Sequence, residues 1–187
     1  MNWELITDQR RFAELLPSWA TAKTIALDTE FMRVNTFNPQ SALTQLNINN
    51  AIYLVDPVAL DTADIGPIFA NPDSLKILHA CSEDIEVFFH QYPHHKMTNI
   101  FDTQVGLAFL GYGLQIGYQR ALKEFLNVDI SKAETRSDWL ARPLSADQLR
   151  YAASDVEHLP KLYEFVVGQL KERNLLAYCQ EDCQLML

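Results

Sequence analysis

Cysteine is scarce and positive charge is in deficit in this 187-residue sequence. The three cysteines, Cys81, Cys179 and Cys183, contain no Cys-x-x-Cys pair, which argues against both a disulfide framework and a zinc cluster. Lysine and arginine number 15 against 24 aspartates and glutamates, so the net charge is −9. Because neutralising phosphates takes a surplus of basic side chains, this balance argues against a general polyanion binder. It leaves room for a small, metal-bridged nucleic-acid site.

Long apolar runs are also missing. No segment offers the roughly 18 consecutive apolar residues of a membrane span, and the N-terminal stretch MNWELITDQRRF carries charges where a signal peptide is apolar. We therefore expect a soluble, cytoplasmic protein without a membrane partner. Internal repeats and low-complexity tracts are absent, which predicts one domain over residues 1–187. Nothing in the sequence points to an oligomeric state.

Three short apolar segments predict an antiparallel meander of strands. Asn49 and Asn50 separate the second segment from the third, and asparagine tolerates the positive φ angles of a hairpin turn. All three are rich in residues that favour strands. The segments are TIALDTEF (Thr24–Phe31), ALTQLNI (Ala42–Ile48) and AIYLVDP (Ala51–Pro57).

Strand and helix patterns alternate after the meander. The strand LKILHA, a helix with Ser82 as its expected N-cap, and the strand NIFDTQ follow in that order, which predicts parallel strands joined by a helical crossover. Helices then dominate. A capping box at Ser145 opens one of them, and Pro160 is expected to bend or end it. The predicted fold class is α/β, with a mixed sheet of meander and parallel strands flanked by helices.

Asp28 and Glu30 stand at the end of the first strand and are central to the functional prediction. Residues two apart in a strand point to the same side, so both carboxylates project together. Neighbouring carboxylates repel each other unless a divalent cation lies between them, and Mg²⁺ and Mn²⁺ prefer such oxygen ligands. Two further Asp-x-Glu pairs lie on predicted helices, where residues two apart do not share a face. The alternative is a pair of exposed charges at a strand end.

Two later segments carry further candidate ligands. Asp84 follows the strand LKILHA, and if that strand runs parallel to the first, Asp84 lies beside Asp28 at the sheet edge. An acidic residue in a first helical turn also favours the helix dipole, which is the alternative for Asp84. Tyr151 and Asp155 are four residues apart and share a helix face. Four converging carboxylates with two divalent ions would form a phosphodiester-cleaving centre.

The motifs IALDTEFMR, HACSEDIEVF and YAASDVEHL resemble, in order and spacing, the three motifs of the DEDDy-type 3′-to-5′ exonucleases. The resemblance extends from MNWELIT through SDWLARPLS to EDCQLML and points to the N-terminal catalytic domain of bacterial ribonuclease D. It implies a ribonuclease H-like fold and hydrolysis of RNA from free 3′ ends, notably of tRNA precursors, with release of nucleoside 5′-monophosphates. Ribonuclease D proteins continue into helical domains that grip RNA, and these are expected to be absent from a chain that stops at Leu187.

The resemblance also implies a role for each motif residue. Asp28 would bridge two divalent ions, either Mg²⁺ or Mn²⁺, and Glu30 and Asp155 would join it on the nucleophile-side ion. Asp84 would hold the leaving-group ion, largely through water. Tyr151 would orient the attacking water, because a phenol with its usual pKa of about 10 is a poor base at neutral pH. The alternatives are an exonuclease acting on DNA or short oligonucleotides, and a catalytically silent nucleic-acid-binding domain.

Five side chains are secondary candidates for contact with the substrate. Apolar groups near the carboxylates suit stacking on terminal bases, and the basic residues within 132–150 suit phosphate. For each of them the alternative to substrate contact is a structural role, namely core packing, a cross-strand contact or a place on the solvated surface. Asp102, by contrast, is assigned a structural capping role. The five candidates are Phe31, Met32, Gln45, Arg136 and Trp139.

Overall fold

Six strands form one mixed sheet among the residues that the computed structural model describes, which are 2–33, 36–130 and 137–187. Arg136, a predicted substrate contact, lies outside these ranges. The strands stand side by side in the order β1-β4-β3-β2-β5-β6. Their bounds are β1 (Trp3–Ile6), β2 (Thr24–Met32), β3 (Gln40–Ile48), β4 (Ala51–Val55), β5 (Leu75–Leu78) and β6 (Ile100–Asp102).

The predicted meander and the predicted parallel strands are both confirmed. β2 pairs antiparallel with β3, and β3 pairs antiparallel with β4. Asn49 and Asn50 turn the chain between β3 and β4 with φ angles of 52° and 65°. On its other side β2 pairs in parallel with β5, which pairs in parallel with β6. Sequence reasoning missed β1, because four residues at a sheet edge carry too little alternation to be recognised.

Helices flank the sheet on both faces. A 3₁₀ turn at Ala63–Ile65 precedes the second helix, and a π-helical turn at Leu122–Leu126 continues the fifth. Within the described ranges, no helix combines the length and the apolar character that crossing a membrane requires. The helices are α1 (Gln9–Ala20), α2 (Gly66–Phe69), α3 (Ser82–Gln91), α4 (Thr103–Phe109), α5 (Tyr118–Ala121), α6 (Ala146–Glu157), α7 (Leu159–Glu172) and α8 (Leu176–Leu185).

The residues predicted to begin and end α6 do so in the structure. Ser145 caps the helix with a complete capping box, in which its Oγ accepts the Gln148 N–H and Gln148 Oε1 accepts the Ser145 N–H. α6 ends at Glu157, and Pro160 lies in the first turn of α7. Proline lacks the N–H that a continuous helix needs, and in a first turn that N–H has no partner to lose. The predicted break is therefore confirmed.

The predicted N-cap residue is confirmed for α4 and wrong for α3. Asp102 caps α4 by accepting the N–H groups of Gln104 and Val105, which is the structural role predicted for it. α3 begins at Ser82, but its N-cap is Cys81. The prediction that Ser82 caps this helix is wrong, because the chain enters the helix one residue earlier than that assignment requires.

Different helices cover the two faces of the sheet near the end of β2. Leu43 of β3 and Leu54 of β4 pack against Ala152 and Val156 of α6 in one apolar layer. Residues alternate along β2, so Asp28 and Glu30 point to the α6 face, and Thr29 points to the face that carries α3. The end of β2 therefore presents side chains to both layers.

The contact between α4 and α7 gives a stability prediction. A Cβ atom added at Gly106 would lie 2.4 Å from Cγ1 of the buried Val166. Gly106→Ala is therefore expected to lower the free energy of unfolding by about 1–3 kcal/mol. Gly168→Ala is the matched control, because nothing lies within 4 Å of a Cβ there; it is expected to raise that free energy by about 0.5–1 kcal/mol. Urea unfolding measures both variants, and shifts of the same sign would contradict the packing argument.

Candidate active site

A cluster of carboxylates lies where β2 meets α6. Asp28, Glu30 and Asp155 offer oxygen atoms that all lie within 4.8 Å of one another. β2 supplies the first two from one face, and the last turn of α6 supplies Asp155. The structure thus brings three of the predicted metal ligands together.

Asp84 approaches the cluster from the opposite face of the sheet. It lies in the first turn of α3, is 6% exposed, and accepts a hydrogen bond from Thr29 Oγ1 at 2.5 Å. Its charge acts on Asp28, Glu30 and Asp155, although it does not belong to the group whose oxygens are mutually within 4.8 Å. The family resemblance likewise implies a looser role for Asp84, with an ion held largely through water.

Burial and mutual repulsion raise the pKa of every carboxyl group at this site. Burial, followed by the charges of Asp155 and Asp84, raises the pKa of Glu30 to about 9. Burial is also the main reason that the pKa values of Asp84 and Asp155 rise to about 7. The pKa of Asp28 lies well above its ordinary value because of burial and the charges of its three neighbours. A divalent cation would favour the ionised forms that the protein alone disfavours.

Tyr151 lies at the edge of the cluster, one turn before Asp155 on α6. A hydrogen bond from Tyr151 lowers the pKa of Asp155 and so opposes the effect of burial. The Tyr151 ring packs against Trp139, with ring centres 6.1 Å apart and planes tilted by 41°. The spacing of four residues has therefore placed a phenol beside the carboxylate, as the sequence predicted.

Phe31 and Met32 lie partly exposed at the end of β2. The Arg33 guanidinium lies 5.7 Å from the centre of the Phe31 ring and pairs with Glu86 of α3 at 2.5 Å. Part of Met32 packs against the apolar layer under α6. Both side chains keep some open surface near the carboxylates, and their contact with substrate stays a prediction.

Two other predicted substrate contacts are corrected. Trp139 is 1% exposed and packs into the apolar layer between α6 and the sheet. Gln45 is 0% exposed and stands opposite Asp28 in the β2–β3 pair. Neither offers surface that a nucleotide can reach, because the surrounding elements enclose both. Trp139 packs in the interior and anchors its loop there, which was the alternative interpretation of that residue.

Two basic residues of the 132–150 stretch, Arg142 and Arg150, have acidic partners within the protein. Arg142 donates to both carboxylate oxygens of the buried Asp56, at 2.6 and 2.7 Å. Arg150 pairs with Asp147 on the surface of α6 at 3.2 Å. The prediction of a phosphate contact is wrong for Arg142, because its guanidinium is committed to partners within the protein.

Sequence reasoning missed two side chains next to the carboxylates. Thr29 holds Asp84, and alternation along β2 was a sufficient signal that it faces away from Asp28. Tyr118 of α5 is the other; burial and the charges of Asp155 and Asp28 raise the pKa of its phenol. It comes from a separate segment, and no local pattern marked it.

The donor chemistry of the cluster fits a hard divalent cation. The group found among the described residues consists of carboxylate oxygens without histidine or cysteine, the ligand set that Mg²⁺ and Mn²⁺ prefer. Clustered carboxylates of this kind at the end of a central strand are typical of metal-dependent hydrolases that act on phosphate esters. That is the class of protein that the fold and the site define.

Comparison with known proteins identifies the family. The family model described as 3′-5′ exonuclease matches residues 3–171, and the chain belongs to this family, as its three motifs predicted. Ribonuclease D of Pseudomonas paraeruginosa is 40% identical over 182 residues, which are 97% of this chain and 48% of that protein. The chain thus spans about half the length of the curated relatives it matches.

Solved structures agree with this assignment. The crystal structure of Escherichia coli RNase D, an exoribonuclease involved in structured RNA processing, is 35% identical with a TM-score of 0.93, covering 100% of this chain and 50% of that chain. Brucella melitensis NrnC with bound Mg²⁺ is 22% identical with a TM-score of 0.78, covering 89% and 83%, and at this identity it bears on the fold alone. The predicted ribonuclease H-like fold is confirmed.

Proposed function

We propose that this chain is a metal-dependent 3′-5′ exoribonuclease that shortens RNA from its 3′ end and releases nucleoside 5′-monophosphates. The observation that carries the proposal is the convergence of Asp28, Glu30 and Asp155, with Asp84 beside them, in a chain of the 3′-5′ exonuclease family. Relatives named ribonuclease D support RNA as the substrate, with tRNA precursors as the proposed natural class. Residues 1–187 would act as one catalytic domain, in the cytoplasm where such RNA is trimmed.

The four carboxylates would hold two divalent ions, either Mg²⁺ or Mn²⁺. Asp28, Glu30 and Asp155 would hold one ion, and Asp84 together with Asp28 would hold the other. When bound, such ions lower the pKa of water and stabilise the negative charge that develops on phosphate oxygens. Thr29 keeps the Asp84 carboxylate turned toward the end of β2 by its hydrogen bond.

The protein's own side chains would orient the reactants. Tyr151 is hydrogen-bonded to Asp155 and would hold the attacking water on the side of the cluster that faces α6. Phe31 offers part of its ring to the terminal base, and stacking of this kind tolerates any base. The Arg33 guanidinium lies beside that ring and is paired with Glu86 of α3.

Digestion of an RNA labelled at its 5′ end tests the proposed function. With Mg²⁺ or Mn²⁺ we expect a ladder that shortens from the 3′ end, is abolished by a chelator and returns when metal is restored. A DNA strand of the same sequence and a dinucleotide serve as matched substrates. Faster shortening of either would favour the alternative substrates, and no shortening of any of them would favour a silent binding domain.

Tyr151→Phe is expected to lower the single-turnover rate by about 10- to 100-fold, because the attacking water loses its orienting hydroxyl while the ring remains. Tyr178→Phe is the matched control. Tyr178 also stands four residues before an aspartate, Asp182, but it is 62% exposed on α8. Rapid-quench measurements compare the two variants with the parent protein, and equal rates for both would remove Tyr151 from the mechanism.

A further inference from the structure

Arg142 ties the loop before α6 to the sheet through five hydrogen bonds. Its Nε and Nη2 donate to the two carboxylate oxygens of Asp56, at 2.6 and 2.7 Å. Nη2 also donates to the Ala42 carbonyl of β3 at 2.7 Å. Nη1 donates to the carbonyls of Trp139 and Ala141, at 2.7 and 2.9 Å. The planar guanidinium fork thus fixes the loop backbone against both β3 and the end of β4.

The same loop is tied to α6 on its other side. Asp138 Oδ1 accepts the N–H groups of Leu140 and Ala141, which closes a tight turn. Nε2 of Gln148, in the first turn of α6, donates to the Asp138 carbonyl at 3.2 Å. Trp139 therefore lies in a segment whose backbone is held from two directions.

Trp139 lies between this loop and Tyr151 and contacts the Tyr151 ring. The indole packs with Leu54, Leu149 and Ala152 in the layer between α6 and the sheet, and its ring centre lies 6.1 Å from that of Tyr151. Tyr151 in turn is hydrogen-bonded to Asp155 of the carboxylate cluster. A continuous set of contacts therefore runs from Asp56 to the metal ligands.

We propose that the buried Asp56–Arg142 pair is a positioning element for Tyr151. By holding the Trp139 backbone, the pair fixes the indole against which the Tyr151 ring rests, and so fixes the direction of the Tyr151 hydroxyl. The inference rests on the proposed function, since it assigns the pair to the same hydrolytic site. The hydrogen bonds of Arg142 go to Asp56 and to backbone carbonyls, none of them in the carboxylate cluster, and its effect on the reaction is exerted through Tyr151.

A double-mutant cycle tests this coupling. Arg142→Lys keeps the positive charge but cannot form the bidentate fork. In the parent protein it is expected to lower kcat on single-stranded RNA by about tenfold and to leave KM within about twofold, because a misdirected hydroxyl impairs the chemical step. In the Tyr151→Phe background, Arg142→Lys is expected to cause no further loss. Arg10→Lys, at an exposed position of α1 where the guanidinium pairs with Glu14, is the control and should leave kcat unchanged.

An equal loss in both backgrounds would overturn the proposal, because the pair would then act on the fold as a whole. Should Arg142→Lys fail to fold, Trp139→Phe replaces it in the cycle; phenylalanine keeps an aromatic ring, and the indole Nε1 has no hydrogen-bond partner among the described residues. Non-additivity is expected there as well, and additivity would again overturn the proposal.

A readout without substrate separates this inference from the proposed function. With fluorine-labelled tyrosine incorporated, the resonance missing from Tyr151→Phe identifies Tyr151. That resonance is expected to shift or broaden in Arg142→Lys and to stay unchanged in Arg10→Lys. An unchanged resonance in Arg142→Lys overturns the positioning role even if RNA is degraded. Absence of RNA shortening by the parent protein, by contrast, overturns the proposed function.

Discussion

Asp28→Asn is expected to lower the rate of RNA 3′-end shortening by about a thousandfold. Asparagine keeps the volume of aspartate but removes the charge of the carboxylate on which the charges of Glu30, Asp84 and Asp155 all act. The carboxylates of Glu30, Asp84 and Asp155 would then face the cation with one negative charge fewer. Single-turnover digestion of a 5′-labelled RNA at saturating Mn²⁺ measures the loss.

The free energy of unfolding of Asp28→Asn, unlike its rate, is not expected to fall. Burial and three neighbouring carboxylates disfavour the ionised form of Asp28, so its neutral replacement should be at least as stable as the parent protein in metal-free buffer at about pH 8. Asp73→Asn, at an exposed position between α2 and β5, is the matched control for both measurements. An undiminished rate for Asp28→Asn would rule out the assigned role, and a loss of folded protein would contradict the electrostatic account.

The carboxyl groups of the metal-free site are expected to destabilise the protein increasingly as the pH rises from about 5 to about 9. In the unfolded chain, carboxyl groups titrate near a pKa of about 4. In the folded protein, the pKa values of Asp84 and Asp155 are raised to about 7 and that of Glu30 to about 9. Between these limits the folded state binds more protons than the unfolded state, so the free energy of unfolding falls with rising pH. Thermal unfolding in the presence of a chelator measures this slope.

Divalent cations are expected to reverse that loss. At about pH 8.5 an excess of Mg²⁺ or Mn²⁺ should raise Tm by about 5–10 °C, because the cation binds the folded state alone and favours its ionised carboxylates. At about pH 5 the rise should be much smaller, since protons compete with the metal for the same oxygens. Glu30→Gln is expected to flatten both the pH slope and the response to metal. An equal rise in Tm at the two pH values would contradict the assignment of these carboxylates as ligands.

Local signals in the sequence were sufficient for most of the fold. The hairpin at Asn49 and Asn50, the capping box at Ser145 and the break before Pro160 each depend on a few adjacent residues, and all three are present as predicted. β1 was missed because a four-residue edge strand is defined by its pairing with β4. Strand alternation likewise put Asp28 and Glu30 on one side of β2, and helical spacing put Tyr151 beside Asp155, whereas the convergence of β2 with α6 follows from tertiary packing.

Which side chains near the site are buried could not be predicted from the sequence. Trp139, Gln45 and Arg142 all carry chemistry that suits nucleic acid, yet Trp139 and Gln45 are buried and Arg142 is bonded to Asp56. Which side of a loop faces the solvent depends on contacts between distant segments, such as the one between Arg142 and Asp56. The same holds for Tyr118, whose approach to the carboxylates follows from the packing of α5 and from no pattern in its own segment.

Anomalous diffraction from crystals grown with Mn²⁺ tests the central claim most directly. We expect a peak among the carboxylate oxygens of Asp28, Glu30 and Asp155, and a second peak on the side of Asp84 when a 3′-terminal nucleotide is also bound. Both peaks should vanish in Asp28→Asn. Active crystals in which manganese binds elsewhere, with no density between these carboxylates, would contradict the account.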